Sequence, residues 1–331
     1  MGNNLEGKVA VVAGSGQGIG RAIAIHLAKE GARVVTNNRC KGSTGFAFIT
    51  EENLKALSKE KKKWLEDGMK SVEGDAETTA NTIKEMGGEA IPFFGDVSKF
   101  DVAEQLIKTA VDGFGKIDIL VNVVGTFGFS EIWKMSEEQW DHVCAIKPKA
   151  HFNCIRHALP YMMEQKWGRI INCTSGAFAG SDKHTNYATA NAGVLGLTWS
   201  VAQEVYKYGI TCNAFAPAAL TRASYELEAY IRAVPPEQSP MGYGKISIMD
   251  VSPPPEELAP FIAYLVTEDA GNISGSVFFT AGNGIDMYGD LRMEKRIFKY
   301  GDHWTVDELK KEVPRGLLRG YRSPAAPPGG N

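Results

Sequence analysis

The sequence contains little cysteine, and its cysteines follow no disulfide or ligand pattern. There are five among 331 residues, an odd number, and no Cys-x-x-Cys pair occurs. Zinc sites and disulfide frameworks need regularly spaced cysteines. We therefore expect no metal centre, and reduced thiols that pack in the interior. The five are Cys40, Cys144, Cys154, Cys173 and Cys212.

A surplus of positive charge is also missing. The 36 Lys and Arg residues face 39 Asp and Glu residues, and the formal net charge is −3. Nucleic acid is therefore not expected as a partner, because a basic surplus is needed to neutralise phosphates. No run approaches the roughly 18 apolar residues of a membrane span, and "MGNNLEGKVAVVAG" lacks a secretory signal. We expect a cytoplasmic protein that does not bind membranes.

Short apolar runs alternate with amphipathic stretches from Lys8 to about Gly284. Residues 8–14, "KVAVVAG", have the composition of a strand buried on both faces, and the helical spacing that follows closes at Gly31. This alternation predicts an α/β fold with a Rossmann-type, doubly wound parallel sheet. Because the composition does not break, we expect residues 1–331 to form a single domain.

Two segments interrupt this pattern and a third follows it. Residues 40–75 form a charge-rich insertion after the second strand, and their balanced charges predict a solvated helix. The Pro-rich segment 219–257 follows the sixth strand, where a substrate lid is expected. Residues 285–331 form a C-terminal extension, and its Pro/Gly-rich tail from about residue 320 is expected to be disordered.

A glycine-rich loop, "AGSGQGIGRA", joins the first strand to the first helix. Gly14, Gly18 and Gly20 permit the tight turn and close backbone approach that a pyrophosphate needs at a helix N-terminus. A glycine cluster alone is also compatible with a purely structural turn. The position between a strand and an amphipathic helix favours a dinucleotide site.

The end of the second strand indicates which dinucleotide is bound. A carboxylate there would hold the ribose 2′-hydroxyl of NAD, but the sequence has Asn38 followed by Arg39. A neutral side chain does not repel a 2′-phosphate, and a guanidinium binds one bidentately. The pattern favours NADP(H) over NAD(H). The alternative is that Arg39 is a solvent-facing loop residue.

The segment "NYATANAG", residues 186–193, places Tyr187 four residues before Asn191, on one face of a helix. Since an unperturbed phenol has a pKa of about 10, a tyrosine that transfers protons near neutral pH needs a nearby cation. Asn191 carries no charge, so the cation must come from elsewhere. His184 either lines the same pocket or faces solvent.

Together these segments resemble the short-chain dehydrogenase/reductase family over residues 5 to about 290. The resemblance is carried by the glycine motif, Asp96-Val97, "NVVG" (122–125), "NCTSGA", "NYATANAG" and "APAALTR" (216–222). The insertion, "APAALTR" and the late "HWTVDEL" are most similar to the branch near the hydroxyacyl-CoA dehydrogenases of multifunctional β-oxidation enzymes. The resemblance implies a homodimer or homotetramer.

The resemblance also implies a set of cofactor contacts. Asp96 and Val97 would hold the adenine. Residues 122–125 would support the ribose side of the cofactor. Pro217 and Thr221 would lie near the nicotinamide amide. The complete expected set is Gly14, Ser15, Gly18, Ile19, Gly20, Asn38, Arg39, Asp96, Val97, Asn122, Gly125, Pro217 and Thr221.

The family's catalytic residues are a serine, a tyrosine, a lysine four residues later and an asparagine on the preceding helix. Ser175 and Tyr187 match, although a short loop between them leaves Thr174 as a rival hydroxyl. The lysine position holds Asn191. The segment "EEQWDHVCAIKPKAHF" resembles the family's asparagine helix and puts Lys147 in the asparagine position. This exchange is similar to the ketoreductase domains of modular polyketide synthases.

The exchange is physically reasonable, because a long lysine side chain can place its charge at one point from either of two facing helices. A cation within about 4–6 Å of a phenol favours its ionised form. Pro148 is expected to kink the helix at this point. The alternative is that Lys147 is a surface lysine and Asn191 an inactivating substitution.

The sequence therefore predicts an NADP(H)-dependent carbonyl reductase or alcohol dehydrogenase. Tyr187 would donate a proton to the carbonyl oxygen, Ser175 a hydrogen bond, and Lys147 a positive charge, while Asn191 orders a proton relay. The substrate would be a moderately large, mainly apolar ketone or a 3-oxoacyl compound. Two alternatives remain: a non-catalytic cofactor-binding subunit paired with an active paralogue, and a non-redox lyase or isomerase. The expected lid side chains are Tyr225, Tyr230, Ile231, Met241 and Tyr243.

Overall fold

A computed structural model of the chain separates into two compact units, residues 1–288 and 289–331. The first unit holds the α/β fold, and the second holds most of the predicted C-terminal extension. Residues 321–331 of the predicted disordered tail lie outside the described residues. The structure describes residues 2–42, 51–233, 247–289, 295–301 and 303–320.

The described part of the first unit contains an eight-stranded sheet that confirms the predicted doubly wound topology. The strands are β1 (Val9–Ala13), β2 (Arg33–Asn38), β3 (Ala90–Phe94), β4 (Ile119–Asn122), β5 (Gly168–Cys173), β6 (Ile210–Ala218), β7 (Val277–Ala281) and β8 (Gly284–Met287). Their order is β3-β2-β1-β4-β5-β6-β7-β8. The first seven strands in this order are parallel, and β8 pairs antiparallel with β7.

Helices cover both faces of the sheet. They are α1 (Gly18–Lys29), α2 (Glu51–Ala56), α3 (Lys59–Ser71), α4 (Ala76–Glu85), α5 (Phe100–Phe114), α6 (Glu137–Cys144), α7 (Ala150–Gln165), α8 (Thr185–Val205), α9 (Arg222–Ala233), α10 (Ala259–Leu265) and, in the second unit, α11 (Val306–Arg315). A π-helical turn, Ala145–Lys149, connects α6 to α7. Among the described residues no helix is long and apolar enough to cross a membrane.

The central strand β1 shows why the sheet is covered on both sides. Val9 and Val11 belong to the core that includes α5 and α7, whereas Ala10 and Val12 belong to the core that includes α1 and α10. Alternate residues of a strand point to opposite faces, so a continuous apolar run needs a helical layer on each side. These layers leave the strand ends open for a ligand site.

The insertion after β2 packs against α9. Leu57 and Leu65 are buried there with Ala229. The ring of Trp64 lies 5.6 Å from that of Tyr225, between centroids. The insertion is therefore solvated on one face only, because its apolar face covers a helix that follows the sixth strand.

Candidate active site

A cleft of about 760 Å³ lies at the carboxyl ends of the central strands. It is lined by the glycine loop, the ends of β2 and β3, the segment after β4, the π-helical turn and the start of α9. Between β1 and β4 the strand order reverses, and doubly wound sheets bind their ligands at such a switch point. This cleft is the candidate active site.

The glycine loop forms one wall of the cleft and excludes side chains. Gly14 has φ +83°, and a Cβ there would lie 2.9 Å from the backbone nitrogen of Val124. A Cβ on Gly20 would overlap the carbonyl oxygen of Gly14. Gly18 and Ile19 line the cleft between them. The backbone of α1 therefore approaches the cleft closely enough for its first N–H groups to hold a phosphate.

Asn37 fixes the end of β2 beside this loop. Its Oδ1 accepts a hydrogen bond from the Gly14 backbone at 3.2 Å, and its Nδ2 donates to the Gly95 carbonyl at 3.1 Å. The two residues that follow it, Asn38 and Arg39, line the cleft. Sequence reasoning did not assign a role to Asn37.

A second guanidinium, that of Arg222, lines the same cleft. It lies 3.6 Å from the fully buried carboxylate of Glu226. Burial lowers the pKa of Arg222, Glu226 opposes this effect, and the positive charge of Arg39 lowers the pKa further. The two cations in the cleft therefore repel each other. Lys41, by contrast, pairs with Glu77 at 3.0 Å.

Most of the other expected cofactor residues also line the cleft. They follow β3 and β4 or lie at the end of β6, where parallel strands present their carboxyl ends. A Cβ on Gly18 would lie 3.1 Å from the side chain of Thr221, so the glycine loop and the segment after β6 face each other. The residues in this group are Asp96, Val97, Gly125, Pro217 and Thr221.

Two expected cofactor residues lie behind the cleft instead. Ser15 is fully buried, and its hydroxyl donates to the Val12 carbonyl at 2.7 Å. Asn122 is also fully buried, and its Nδ2 donates to Asn172 Oδ1 at 2.9 Å. The Nδ2 of Asn172 in turn donates to the hydroxyl of Thr198 at 3.0 Å. Their side chains support the strands from the interior, because these strand ends are covered by helices.

Lys147 lies in the π-helical turn and lines the cleft. It is only 3% exposed, so it is not the surface lysine of the alternative interpretation. Its Nζ donates to the Cys173 carbonyl at 2.8 Å. Pro148 lies inside this π-helical turn, which separates α6 from α7. A Cβ on Gly125 would lie 3.0 Å from the Lys147 Cε, so the glycine makes room for the lysine side chain.

Tyr187, on the first turn of α8, lines the cleft together with Ser175 and Thr174. Ser175 Oγ accepts a hydrogen bond from the Ala177 backbone at 3.3 Å, which leaves its hydrogen to donate. Thr174 donates to the Asn191 carbonyl at 3.1 Å and is 2% exposed. Ser175 is therefore the better candidate hydroxyl. Asn191 is fully buried and donates to the Tyr187 carbonyl at 2.8 Å, so its side chain does not line the cleft.

The site combines a tyrosine, a hydroxyl and a buried cation beside a glycine loop, and comparison with known proteins identifies its family. The sequence profile of the short chain dehydrogenase family matches residues 49–227 of the chain. The chain belongs to the short-chain dehydrogenase family. Its dehydrogenase and reductase relatives support an oxidoreductase that acts on CH–OH and C=O groups.

Three relatives of this short-chain dehydrogenase match most of its length. Hydroxyacyl-CoA dehydrogenase ChsB1 of Mycobacterium tuberculosis is 29% identical over 92% of the chain and 87% of its own. A 3-oxoacyl-(acyl-carrier-protein) reductase of Thermotoga maritima is 31% identical over 82% of the chain and 96% of its own. The crystal structure of a short chain dehydrogenase from Mycobacterium avium superimposes with a TM-score of 0.73, at 31% identity and with 99% of both chains covered.

In this short-chain dehydrogenase, an aromatic group lies next to Tyr187. The rings of Phe127 and His184 each lie 5.6 Å from that of Tyr187, between centroids. Phe129 contacts His184 at 4.2 Å and stacks on Tyr230 of α9 at 4.9 Å. His184 is 5% exposed and does not face solvent. Burial lowers the pKa of His184 to about 4, so its ring is neutral at pH 7.

The predicted lid contributes α9 and residues 248–252 to the cleft. Leu227 and Ile248 are among the lining residues. The buried carboxylate of Glu228 accepts a hydrogen bond from the Ile248 backbone at 2.8 Å, which ties α9 to that segment. Met241 and Tyr243 lie outside the described residues. The described part of this wall combines apolar residues with polar ones, among them Arg222 and Ser224.

Proposed function

We propose that the protein is an NADP(H)-dependent carbonyl reductase, or in the reverse direction an alcohol dehydrogenase, for a moderately large, mainly apolar ketone or 3-oxoacyl substrate. One observation carries the proposal: the buried ammonium of Lys147 lines the same cleft as Tyr187 and Ser175. Burying a charge is costly, and buried charges in clefts are typical of functional sites. The names of the hydroxyacyl and 3-oxoacyl relatives support this substrate class.

The residues of the cleft fit a nicotinamide dinucleotide. The glycine loop excludes side chains where a pyrophosphate would lie. Arg39, which follows β2, and Arg222, which begins α9, offer two cations in the cleft, and a 2′-phosphate would relieve the repulsion between them. When bound, NADPH would supply a hydride to the carbonyl carbon of the substrate.

Residues of the chain itself transfer the proton to the substrate. As the new C–H bond forms, Tyr187 Oη transfers its proton to the carbonyl oxygen, and Ser175 donates a hydrogen bond to the same oxygen. The alcohol leaves, and the tyrosinate regains a proton from solvent. Lys147 stabilises the tyrosinate electrostatically from the opposite helix. Asn191 holds the helical turn that carries Tyr187.

Removing the cation tests the proposed exchange. Lys147→Met is expected to lower kcat by about 100-fold or more, as loss of a preorganised charge does at other active sites. Lys149→Met is the matched control, because Lys149 lies exposed in the same turn. Turnover is followed as NADPH oxidation with a panel of ketones and 3-oxoacyl thioesters.

The reverse exchange makes the test stricter. Asn191→Lys alone places two cations near Tyr187 and is expected to lower kcat. Combined with Lys147→Asn, it restores the arrangement typical of the family and is expected to recover part of the activity, an interaction that a double-mutant cycle measures. A Lys147→Met enzyme with more than about half of the wild-type kcat would contradict the assignment. A wild-type protein that binds NADPH but reduces nothing would favour the non-catalytic alternative.

Cofactor preference is tested at Arg39. Arg39→Ala is expected to weaken NADPH binding by about 1–3 kcal/mol, the range for a charged hydrogen bond, and to leave NADH binding nearly unchanged. Lys41→Ala is the control, since Lys41 pairs with Glu77. Dissociation constants come from quenching of tryptophan fluorescence. Tighter binding of NADH than of NADPH by the wild type would overturn the NADP(H) assignment.

The aromatic group supports an apolar substrate. Phe127 lines the cleft and contacts Tyr187, so we expect the group beside the reacting carbonyl to pack on its ring. Phe127→Ala is expected to raise KM for the larger ketones of the panel more than for acetone-sized ones, because less apolar surface is buried. An equal rise for both would contradict this role.

We further propose a cytoplasmic homodimer or homotetramer. All five cysteines are free thiols, as is typical of a reducing compartment. A groove on the outer face of α6, α7 and α8 includes Phe152 and Leu197. Phe152 is 46% exposed and stacks on the equally exposed Phe100. Exposed aromatic pairs of this kind are typical of interfaces.

A further inference from the structure

We propose that His151 is a positioning residue that holds Lys147 in the active site through the lysine's own backbone carbonyl. This inference rests on the proposed function of Lys147. His151 lies in the first turn of α7 and is fully buried. Its Nδ1 lies 2.5 Å from the Lys147 carbonyl oxygen.

The chemistry of this contact fixes the tautomer of the ring. A carbonyl oxygen can only accept, so Nδ1 must carry the hydrogen. Burial, and then the positive charge of Lys147, lower the pKa of His151 to about 3. The imidazole is therefore neutral, with one hydrogen, and that hydrogen points at Lys147. Its Nε2 is buried and makes no hydrogen bond with the described residues, although the backbone groups of Asn122 and Cys173 lie near enough to the ring to oppose the lowering of its pKa.

The Lys147 carbonyl lies where the helix changes its hydrogen-bond pattern. In the π-helical turn, the Ala150 N–H is shared between the carbonyls of Ala145 and Lys147. The His151 ring supplies a second donor to the Lys147 carbonyl. Pro148 cannot donate a backbone hydrogen bond here. The imidazole therefore stabilises a turn whose backbone bonds are incomplete.

Lys147 is thus held at both ends. Its carbonyl accepts from His151, and its Nζ donates to the Cys173 carbonyl at 2.8 Å. The side chain between these two points passes Gly125, which has no Cβ to obstruct it. If the turn relaxes, the ammonium moves away from the cleft wall, because the lysine side chain is long and flexible. His151 acts on the reaction only through this placement.

A contact elsewhere in the chain shows which substitution of His151 should keep its hydrogen bond. Asn191 Nδ2 donates to the Tyr187 carbonyl four residues earlier, at 2.8 Å. His151 and Lys147 have the same four-residue separation, so His151→Asn is expected to keep the bond and His151→Leu to lose it. His157→Leu is the matched control on α7, since its Nε2 is also buried without a partner among the described residues and it contacts Phe100 instead.

The experiment measures kcat, the NADPH dissociation constant and the melting temperature for the four proteins. His151→Leu is expected to lose about 10- to 100-fold in kcat, the effect of a displaced catalytic group, while His151→Asn and His157→Leu stay within about threefold of wild type. In a Lys147→Met background, His151→Leu is expected to add no further loss, because the two changes act on one charge.

Three outcomes would overturn the proposal: wild-type kcat in His151→Leu, equal losses in the Leu and Asn variants, or a His151→Leu loss that adds fully to that of Lys147→Met. If the wild type reduces no ketone, the proposed reaction fails separately. Crystal structures of the two His151 variants then decide, since the contact between Lys147 Nζ and the Cys173 carbonyl should persist in His151→Asn and be lost in His151→Leu.

Discussion

Acidification from pH 7.5 to 5 is expected to lower the free energy of unfolding through His151 and His184. Burial lowers the pKa of these imidazoles from 6.5 to about 3 and about 4, respectively. The unfolded chain takes up protons as the pH falls through 6.5, whereas the folded protein stays neutral at both positions. The stabilisation is therefore complete above pH 6.5 and is lost as the pH falls towards the folded values.

The size of the loss follows from the same values. At pH 5 the unfolded chain holds one proton more at each histidine, about 1.5 pH units below the unfolded pKa. At about 1.4 kcal/mol per unit, each histidine lowers the free energy of unfolding by about 2 kcal/mol, and both together by about 4 kcal/mol. This is a large share of the roughly 5–15 kcal/mol that stabilises a typical folded protein.

Urea unfolding followed by tryptophan fluorescence measures the effect at pH 7.5 and pH 5.0. The wild type is compared with the double variant His151→Asn/His184→Asn, which lacks both titrating groups. Carboxylates contribute equally to both proteins and cancel in the difference. We expect the wild type to lose about 4 kcal/mol more than the variant. A difference below about 1 kcal/mol would show that these rings are not held neutral in the folded protein.

Three further predictions concern thiols, assembly and the insertion. Cys40 is exposed, whereas burial raises the pKa of Cys154 to about 12; a thiol reagent at pH 8 should therefore modify Cys40 rapidly, and Cys40→Ala should remove that phase. Phe152→Glu should shift the protein towards monomer in light scattering, and a single 36 kDa species in the wild type would contradict the assembly. Trp64→Ala should raise KM for large ketones with little change in NADPH binding. An unchanged KM would show that the insertion does not influence substrate binding.

Sequence periodicity was sufficient for the parallel sheet, because strands buried on both faces have continuous apolar runs. The interrupted helix at Pro148 was predictable for a similar reason, since proline removes a backbone donor wherever it occurs. The position of Lys147 in the cleft followed from matching one helix to a known family. These features depend on local chemistry, which a single chain displays directly.

Features that depend on distant contacts were not predictable in the same way. Asn122 and Ser15 matched family positions, but whether a side chain faces the cleft or the interior depends on the helices that cover the strand ends. Arg222 could be noticed only as part of "APAALTR". The contact of His151 with Lys147 had a usable signal, the four-residue spacing on one helix, although the buried position of the ring came from packing against the sheet.

The packing of α3 on α9 couples the candidate substrate wall to a helix whose described residues do not line the cleft. Residues of α3 can therefore change during evolution without directly altering Tyr187 or the glycine loop. The end of the insertion is more constrained, because a Cβ on Gly74 would lie 2.8 Å from the carbonyl oxygen of Gly16. For protein engineering, replacing α3 together with the α9 residues that it packs against, while keeping Arg222, is the natural route to a new substrate range, because their shared apolar contacts would be kept intact.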